Sequence, residues 1–266
     1  MKILLLFSIM LLFFKTAFSQ TPSKSEVVSL NGVEVYYEVY GKGEPLILLH
    51  GYTGSSKYWL PFIPDFTNEY EVYSIDLKGH GKSGPFKESL SIKSAARDLD
   101  ALLQHLKLKS INAIGFSYGG DVMFQLALLR PGLIKSMISI GACGTWNAKD
   151  YPDWIKLFSY KNINNLKWMD EHQMNTAQSK AILDQFPNYN IKVNDEEMKS
   201  ISVKTLFILG DQDTSIPLEC ISNARKNLPE SYLWILPNAD HSAHEGKNKE
   251  EFVKVSKSFF REIWKK

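Results

Sequence analysis

Ser117 is the first residue whose surroundings suggest chemistry. It stands at the centre of Gly115–Gly119, a G-x-S-x-G pattern in which small residues let a serine occupy a tight turn between a strand and a helix. The apolar run Ile111–Ile114 predicts the strand, and the residues from Tyr118 onwards predict the helix. Because free N–H groups at a helix N-terminus stabilise negative charge, Ser117 is a candidate nucleophile.

A serine nucleophile needs two partners, and the chain offers both downstream. A base must take the hydroxyl proton, and a carboxylate must orient that base. Asp213 follows a strand predicted at Thr205–Leu209, and His241 follows a strand predicted at Tyr232–Leu236. These partners would let Ser117 act as a nucleophile, with His241 as the base and Asp211 or Asp213 as the carboxylate that orients it.

Neighbouring residues compete for two of these roles. Asp211 precedes Asp213 by two residues and stays open as the orienting acid. His244 lies about one turn after His241 and fits the position of the base less well. We expect Asp240 to be a solvated loop carboxylate without a catalytic role.

Two glycine-rich loops carry histidines for which we expect a structural role. His50 and His80 each adjoin glycine, and we expect both to brace their loops by hydrogen bonds. Residues 79–84 match G-x-G-x-x-G, but Pro85 follows in place of a helix, which argues against a dinucleotide site. The sequence contains no H-E-x-x-H, paired C-x-x-C or EF-hand pattern, so we expect neither a metal nor another cofactor.

The elements that must position these residues alternate along the chain. Short apolar runs alternate with longer helical patterns, which is typical of βαβ units and a mostly parallel sheet. Asn31-Gly32 predicts a hairpin between Glu26–Leu30 and Val33–Tyr40, so the sheet opens with antiparallel strands. Strands buried on both faces are predicted at Leu46–Leu49, Val72–Ile75, Ile111–Ile114, Ile134–Ile140, Thr205–Leu209 and Tyr232–Leu236. Helices are predicted at Ile92–Leu106, Asp121–Leu129 and Phe252–Trp264.

One stretch, Cys143–Ser200, interrupts this alternation. It contains no convincing strand and is rich in Trp, Tyr and Phe. A structureless segment of this length inside a compact domain would be abnormal, so we interpret it as a helical cap packed over the rest of the chain. The expected organisation is a signal peptide over 1–19, a core over 20–142 and 201–266, and the cap over 143–200.

The N-terminal residues resemble a signal peptide. Lys2 supplies a positive start, Ile3–Phe14 is apolar apart from one serine, and residues 17–19 place small side chains at an A-x-A cleavage site. The apolar run is shorter than the roughly 20 residues of a spanning helix. We expect cleavage after Ser19 and export to the periplasm or the medium, with an uncleaved membrane anchor as the alternative.

Charge and cysteine content narrow the remaining function classes. Without residues 1–19, which contain two lysines, basic and acidic residues balance at 29 each, and this balance gives no support for nucleic-acid binding. Cys143 and Cys220 are the two cysteines of the chain. Both follow neighbouring predicted strands, so a bridge is conceivable, but we expect two buried free thiols.

From Glu26 to Trp264 the chain resembles the α/β-hydrolase superfamily. The resemblance rests on five motifs in order: His50–Gly54, Gly79–Ser83, Gly115–Gly119, Gly210–Pro217 and Asp240–Ser242. It implies an α/β fold with a mostly parallel eight-stranded sheet, wrapped by helices and carrying a helical cap. It also implies that Ser117, Asp213 and His241 are catalytic: Ser117 attacks a carbonyl carbon, His241 acts as general base, and Asp213 orients the imidazole.

The resemblance further implies that the backbone N–H groups of Tyr52 and Tyr118 form an oxyanion hole. Their side chains are expected to line the pocket. The implied activity is hydrolysis of a carboxylic ester or lactone through an acyl-enzyme on Ser117. The expected substrate is a small apolar acyl or aromatic ester. We expect the protein itself to have no stable membrane anchor.

Other members of the superfamily leave alternatives open. An aminopeptidase-like enzyme would need cap carboxylates to hold an amine, and Asp170, Glu171 and Asp184 are available, but we expect these three to form a solvated helix face. A carbon–carbon bond hydrolase is a further alternative. A slow-turnover ligand sensor of the same fold would keep an intact triad and differ in its turnover number.

Overall fold

The computed structural model describes residues 21–30 and 32–261 of the chain. The described residues form strands at β1 (Lys24–Leu30), β2 (Val33–Gly41), β3 (Glu44–Leu49), β4 (Tyr70–Ile75), β5 (Ile111–Phe116), β6 (Ile134–Ile140), β7 (Thr145–Asn147), β8 (Asn190–Lys192), β9 (Lys204–Gly210) and β10 (Ser231–Leu236). They form helices at α1 (Ile63–Phe66), α2 (Ile92–His105), α3 (Tyr118–Leu129), α4 (Pro152–Leu157), α5 (Trp168–His172), α6 (Thr176–Gln185), α7 (Asp195–Ser200), α8 (Leu218–Asn227) and α9 (Lys249–Phe260).

The centre of the protein is an eight-stranded sheet in the order β1-β2-β4-β3-β5-β6-β9-β10. β1 and β2 pair antiparallel, β2 also pairs antiparallel with β4, and the remaining neighbours are parallel. The predicted fold class is therefore confirmed. Asn31 of the predicted hairpin turn lies outside the described residues, whereas Gly32 has a φ of +79°, the left-handed conformation that such a turn requires.

Helices cover both faces of the sheet, and this explains why its central strands are continuous apolar runs. All six residues of β5 are buried. On one face α2 and α3 share a hydrophobic cluster with the strands, and on the other face α9 does so together with α1. α2 begins where the Ser91 side chain accepts the N–H of Ser94, an N-cap that stabilises its first turn. Trp264 of the predicted last helix lies outside the described residues.

The prediction that Tyr232–Leu236 is buried on both faces is wrong. β10 pairs with β9 at the end of the sheet order, and Ile235 is 40% exposed. An apolar run shows that a segment can form a strand. It does not show whether the strand lies at the centre or at the edge of the sheet.

Residues 143–200 contain four short helices, α4 to α7, and cover the C-terminal edge of the sheet. They also contain β7 and β8, which pair antiparallel, so the expectation of no strand in this segment is wrong. Strands of three residues are too short for an alternating pattern to be visible in the sequence. A small hydrophobic cluster of the cap's own consists of Leu166, Met169, Ile182 and Leu183.

The expectation of two free thiols is also wrong, because Cys143 and Cys220 form a disulfide. Cys143 follows β6 and Cys220 lies in the first turn of α8, which follows β9. β6 and β9 are parallel neighbours, so the segments beyond their C-terminal ends meet and the two Cα atoms lie 6.1 Å apart. The bridge joins the entrance of the cap to the core.

The predicted signal peptide, residues 1–19, lies outside the described residues. In the part of the chain that the structure describes, no helix combines the length and apolarity needed to cross a membrane.

Candidate active site

Ser117 lies at the turn between β5 and α3, as the sequence predicts for that serine. Its φ of +49° is unusual for a residue with a side chain and marks a sharply bent backbone. The turn requires two of its glycines. A Cβ on Gly115 would lie 2.6 Å from Gly119 O, and a Cβ on Gly119 would lie 2.5 Å from Leu49 O.

The loops after β9 and β10 bring Asp213 and His241 together. His241 Nδ1 lies 2.8 Å from Asp213 Oδ2, and the Asp213 side chain is 1% exposed. Asp213 Oδ1 accepts the N–H groups of Ser215 and Ile216 at 2.8 and 3.0 Å. Burial alone raises the pKa of Asp213. The hydrogen bonds from His241 and the two N–H groups outweigh burial and hold that pKa below its ordinary value.

The competing residues have other contacts. Asp211 Oδ1 accepts the N–H of Ala239 at 3.2 Å and so ties the two loops together beside the Asp213–His241 pair. His244 is fully buried, with Nε2 3.1 Å from the hydroxyl of Tyr58, and burial lowers its pKa to about 3. Asp240 is exposed and accepts the N–H of Ser242 at 3.0 Å.

Ser117 and His241 line the same cavity, which has a volume of about 680 Å³. Among the described residues, no hydrogen bond joins the Ser117 hydroxyl to the imidazole. Catalytic hydrogen bonds in ligand-free enzymes are often long and tighten only around substrate. Gly141 leaves room for the imidazole, since a Cβ there would lie 2.8 Å from His241 Cε1. The catalytic roles of the three side chains stay predictions.

The 50–54 loop, His50–Gly54, approaches the turn that carries Ser117. A Cβ on Gly51 would lie 2.8 Å from Phe116 Cδ1 and 3.5 Å from Ser117 Cβ. The Tyr118 N–H belongs to the first residue of α3, which has no acceptor within its own helix. Both predicted oxyanion donors, the N–H groups of Tyr52 and Tyr118, therefore belong to segments that flank Ser117.

His50 and His80 brace this region, as the sequence predicts. His50 Nδ1–H donates to Gly51 O at 2.7 Å, and its Nε2 accepts the N–H of Leu77 at 3.0 Å. His80 Nε2 accepts the N–H of Thr53 at 3.2 Å. Burial lowers the pKa of His80 to about 4 and that of His50 well below its ordinary value, so both rings are neutral near pH 7.

The chain matches the family model described as alpha/beta hydrolase fold over residues 44–171. This protein is an α/β hydrolase. The match includes the 50–54 loop and Ser117, and it ends within the cap. The solved α/β hydrolase fold protein from Chitinophaga pinensis superposes with a TM-score of 0.76 at 21% identity, covering 92% of this chain and 99% of the other.

Several curated relatives of this α/β hydrolase are named as hydrolases or esterases. A protein of Stutzerimonas stutzeri named "Putative carbamate hydrolase RutD" is 28% identical over 239 residues, which cover 79% of this chain and 90% of that protein. The pimeloyl-[acyl-carrier protein] methyl ester esterase of Legionella pneumophila is 25% identical over 228 residues, covering 79% and 92%. These similarities identify the chain as a hydrolase enzyme that acts on a small molecule.

The cap supplies most of the aromatic wall of the hydrolase's cavity. Its contribution consists of Trp146, Trp154, Phe158, Trp168, Phe186 and Tyr189. Tyr52 also lines the cavity, as expected from the sequence. Tyr118 does not, because its side chain is fully buried and packs edge-on against Tyr52 in the core.

Sequence reasoning missed two of the carboxyl groups that line this cavity, those of Asp121 and Glu245. Asp121 is 2% exposed and accepts the Tyr189 hydroxyl at 2.8 Å and the Gly144 N–H at 3.1 Å. Burial raises the pKa of Asp121 to about 7. Its position one helical turn after Ser117 was the available signal. Glu245 also lines the cavity and accepts a hydrogen bond from the Tyr58 hydroxyl.

The three cap acids considered for amine binding lie elsewhere. Asp170, Glu171 and Asp184 are exposed, and none of them lines the cavity. Asp184 pairs with Lys180 on the outside of α6. Their interpretation as a solvated face is therefore confirmed. Among the described residues, no group of three or more His, Cys, Asp or Glu side chains is arranged to hold a metal ion.

Proposed function

We propose that this α/β hydrolase cleaves a carboxylic ester or lactone through a covalent acyl-enzyme on Ser117. The observation that carries the proposal is the Asp213–His241 hydrogen bond at the rim of the cavity that Ser117 also lines. The Asp213 carboxylate accepts a hydrogen bond from the Nδ1–H group of His241, so Nε2 is the ring atom left to act as base.

The proposed reaction has two halves. Ser117 Oγ attacks the carbonyl carbon while its proton passes to His241 Nε2, and the resulting oxyanion accepts the N–H groups of Tyr52 and Tyr118. The C–O bond of the ester then breaks, and the leaving alkoxide takes the proton from His241. A water molecule repeats the sequence on the acyl-enzyme, which releases the carboxylic acid and restores the Ser117 hydroxyl.

The lining of the cavity supports an uncharged apolar or aromatic ester as substrate. Six aromatic side chains of the cap face the cavity, and within the described chain its lining includes Asp121, Asp240 and Glu245 but no Lys or Arg. An anionic substrate would meet these carboxyl groups without a cationic partner. A neutral ring or acyl chain would be buried against apolar surface.

The experiment uses the protein without residues 1–19 and a panel of p-nitrophenyl esters of increasing acyl length together with lactones. Ser117→Ala should abolish turnover, while Ser200→Ala, an exposed serine at the end of α7, should leave turnover unchanged. Full activity of Ser117→Ala would contradict the proposal. Wild-type turnover far below about 1 per second on every substrate would favour the ligand sensor.

We also propose that the protein is exported, on the basis of the signal-peptide pattern in residues 1–19. Mass spectrometry of the N-terminus after expression in a bacterial host should find a chain that begins at Gln20. An intact Met1 in the membrane fraction would contradict export and favour the uncleaved anchor.

A further inference from the structure

The cap makes polar contacts with the 50–54 loop in addition to lining the cavity. We propose that Gln173, on the cap, is a positioning residue that holds the 50–54 loop so that the Tyr52 N–H points at the reacting carbonyl. The inference rests on the proposed function, since it assigns Gln173 a part in oxyanion stabilisation. Gln173 itself is not proposed to touch substrate.

Gln173 uses both ends of its amide group in this contact. It follows α5 directly and is 8% exposed. Its Nε2 donates to Thr53 O at 2.9 Å and to Gly54 O at 3.0 Å, and its Oε1 accepts the N–H of Gly81 at 2.9 Å. One buried side chain therefore joins the cap to the 50–54 loop and to the Gly79–Ser83 turn.

The 50–54 loop has a conformation that needs such support. Thr53 has a φ of +66°, a left-handed conformation that residues with a branched Cβ rarely adopt. Conformations of this kind persist only where the surroundings hold them in place. The Thr53 N–H is held by His80 from the core, and the Thr53 carbonyl is held by Gln173 from the cap.

Other cap residues contact the same short stretch. Trp168 Nε1 donates to Thr53 Oγ1 at 3.1 Å, and His172 Nδ1 lies 2.9 Å from Ser55 Oγ. The Tyr52 hydroxyl donates to Ile182 O at 2.7 Å. Residues 52–55, which carry and directly follow the Tyr52 N–H, are thus fastened to the cap, and Gln173 makes the central contact.

Gln178 offers a matched comparison within the cap. Its Nε2 donates to Gly79 O at 3.2 Å and to Gly81 O at 2.8 Å. It therefore contacts the Gly79–Ser83 turn, as Gln173 does, but makes no hydrogen bond to the 50–54 loop among the described residues. A comparison of the two glutamines therefore separates the effect of a contact to the Gly79–Ser83 turn from the effect of a contact to the 50–54 loop.

The test compares Gln173→Glu with Gln178→Glu in ester hydrolysis. In Gln173→Glu a carboxylate faces the carbonyl oxygens of Thr53 and Gly54, while an oxygen remains for the Gly81 N–H. We expect kcat to fall about 10- to 100-fold because a displaced catalytic donor loses its alignment, with KM within about 3-fold of the wild-type value. Gln178→Glu should keep kcat within about 3-fold.

The pH profile separates positioning from space filling. A protonated carboxyl donates one hydrogen bond, so the ratio of Gln173→Glu activity to wild-type activity should rise as the pH falls. His80, His172 and Asp76 are the titratable groups around this contact, and the uncharged variant Gln173→Met measures what they contribute to the ratio. Gln173→Met, uncharged and similar in length, should lose kcat without the recovery at low pH. If Gln173→Glu does not fold, Gln173→Met carries the test.

Amide hydrogen exchange, measured by mass spectrometry, reports how firmly the 50–54 loop is held and does not depend on catalysis. The peptide that contains residues 50–54 should exchange faster in both Gln173 variants than in wild type and Gln178→Glu. Unchanged kcat overturns the inference whatever the exchange rate, and so does a fall in kcat without faster exchange. If the wild type hydrolyses no ester, the proposed function fails, and exchange alone decides whether Gln173 holds the loop.

Discussion

The two halves of the candidate active site are held in different ways. Within the described chain, the hydrogen bonds to the Asp213 carboxyl come from core residues: His241, Ser215 and Ile216. The carbonyl groups of Thr53 and Gly54, in contrast, are bound by a side chain of the cap. In the acid–histidine half the cap contacts the Ser215 carbonyl through Trp146 Nε1, but the Asp213 carboxyl itself is held by the core. In the 50–54 loop, by contrast, the contacts to the Thr53 and Gly54 carbonyls are completed by the cap.

The Asp213–His241 hydrogen bond joins two core residues, whereas the carbonyl groups of the 50–54 loop accept hydrogen bonds from a cap side chain. Variants in each half should therefore have separable effects.

Asp213→Asn should have the largest effect, because it removes the acceptor that fixes the His241 tautomer. We expect kcat to fall about 10³- to 10⁴-fold. Asp211→Asn is the matched control. It retains an oxygen for the Ala239 N–H, so its kcat should stay within about 10-fold of wild type. A larger loss of kcat in Asp211→Asn than in Asp213→Asn would assign the orienting role to Asp211 instead of Asp213.

Removal of the disulfide by Cys143→Ala with Cys220→Ala should change stability more than chemistry. The bridge closes a segment with a sequence separation of 77 residues, so its loss should lower the free energy of unfolding by about 2–5 kcal/mol. Denaturant titration measures this change. Activity at low temperature should persist, because no hydrogen bond to Asp213 depends on the bridge. Loss of activity in a folded double variant would contradict an acid–histidine half built by the core.

The two buried acids should show opposite pH dependence. Asp121 has a folded pKa of about 7, above its unfolded value, so the folded state binds the proton more tightly and stability falls as the pH rises from about 4 to 7. The stability of Asp121→Asn relative to wild type should therefore rise across this range, by on the order of 1–4 kcal/mol. Denaturant titrations at several pH values measure it, and a flat difference would contradict the pKa that burial raises at Asp121.

Asp213 should behave in the reverse sense. Its folded pKa lies below its ordinary value, so its stabilising contribution is complete above about pH 5 and is lost as the pH falls through the folded pKa. The stability gap between wild type and Asp213→Asn should shrink as the pH falls from about 5 to 3, in the same titrations. A gap that widens at low pH would contradict the assigned hydrogen bonds.

Trp168→Phe should have the smallest effect. It keeps an aromatic ring but removes the hydrogen bond from Nε1 to Thr53 Oγ1. We expect kcat to fall about 2- to 5-fold, the equivalent of one ordinary hydrogen bond. An effect larger than that of Gln173→Glu would place the main support of the 50–54 loop at Trp168.

The sequence predicts the core more completely than the cap, for a physical reason. The turn at Ser117 is local, because strand, glycines and helix follow one another directly, so residue spacing is enough to predict it. The residues that Gln173 contacts are far from it along the chain: Gly81 is separated from it by 92 residues and Thr53 by 120. No local periodicity encodes such a pairing, and the Cys143–Cys220 bridge and the β7–β8 pair were missed for the same reason.

The central claim is a covalent acyl-enzyme on Ser117, and intact-protein mass spectrometry tests it most directly. The protein is quenched in acid shortly after it is mixed with p-nitrophenyl acetate, and the adduct is then located by peptide mapping. Wild type should carry one added acetyl group on the peptide that contains Gly115–Gly119, and Ser117→Ala should carry none. An acetyl group on another residue that turns over at the rate of catalysis, or turnover by Ser117→Ala, would contradict an acyl-enzyme on Ser117.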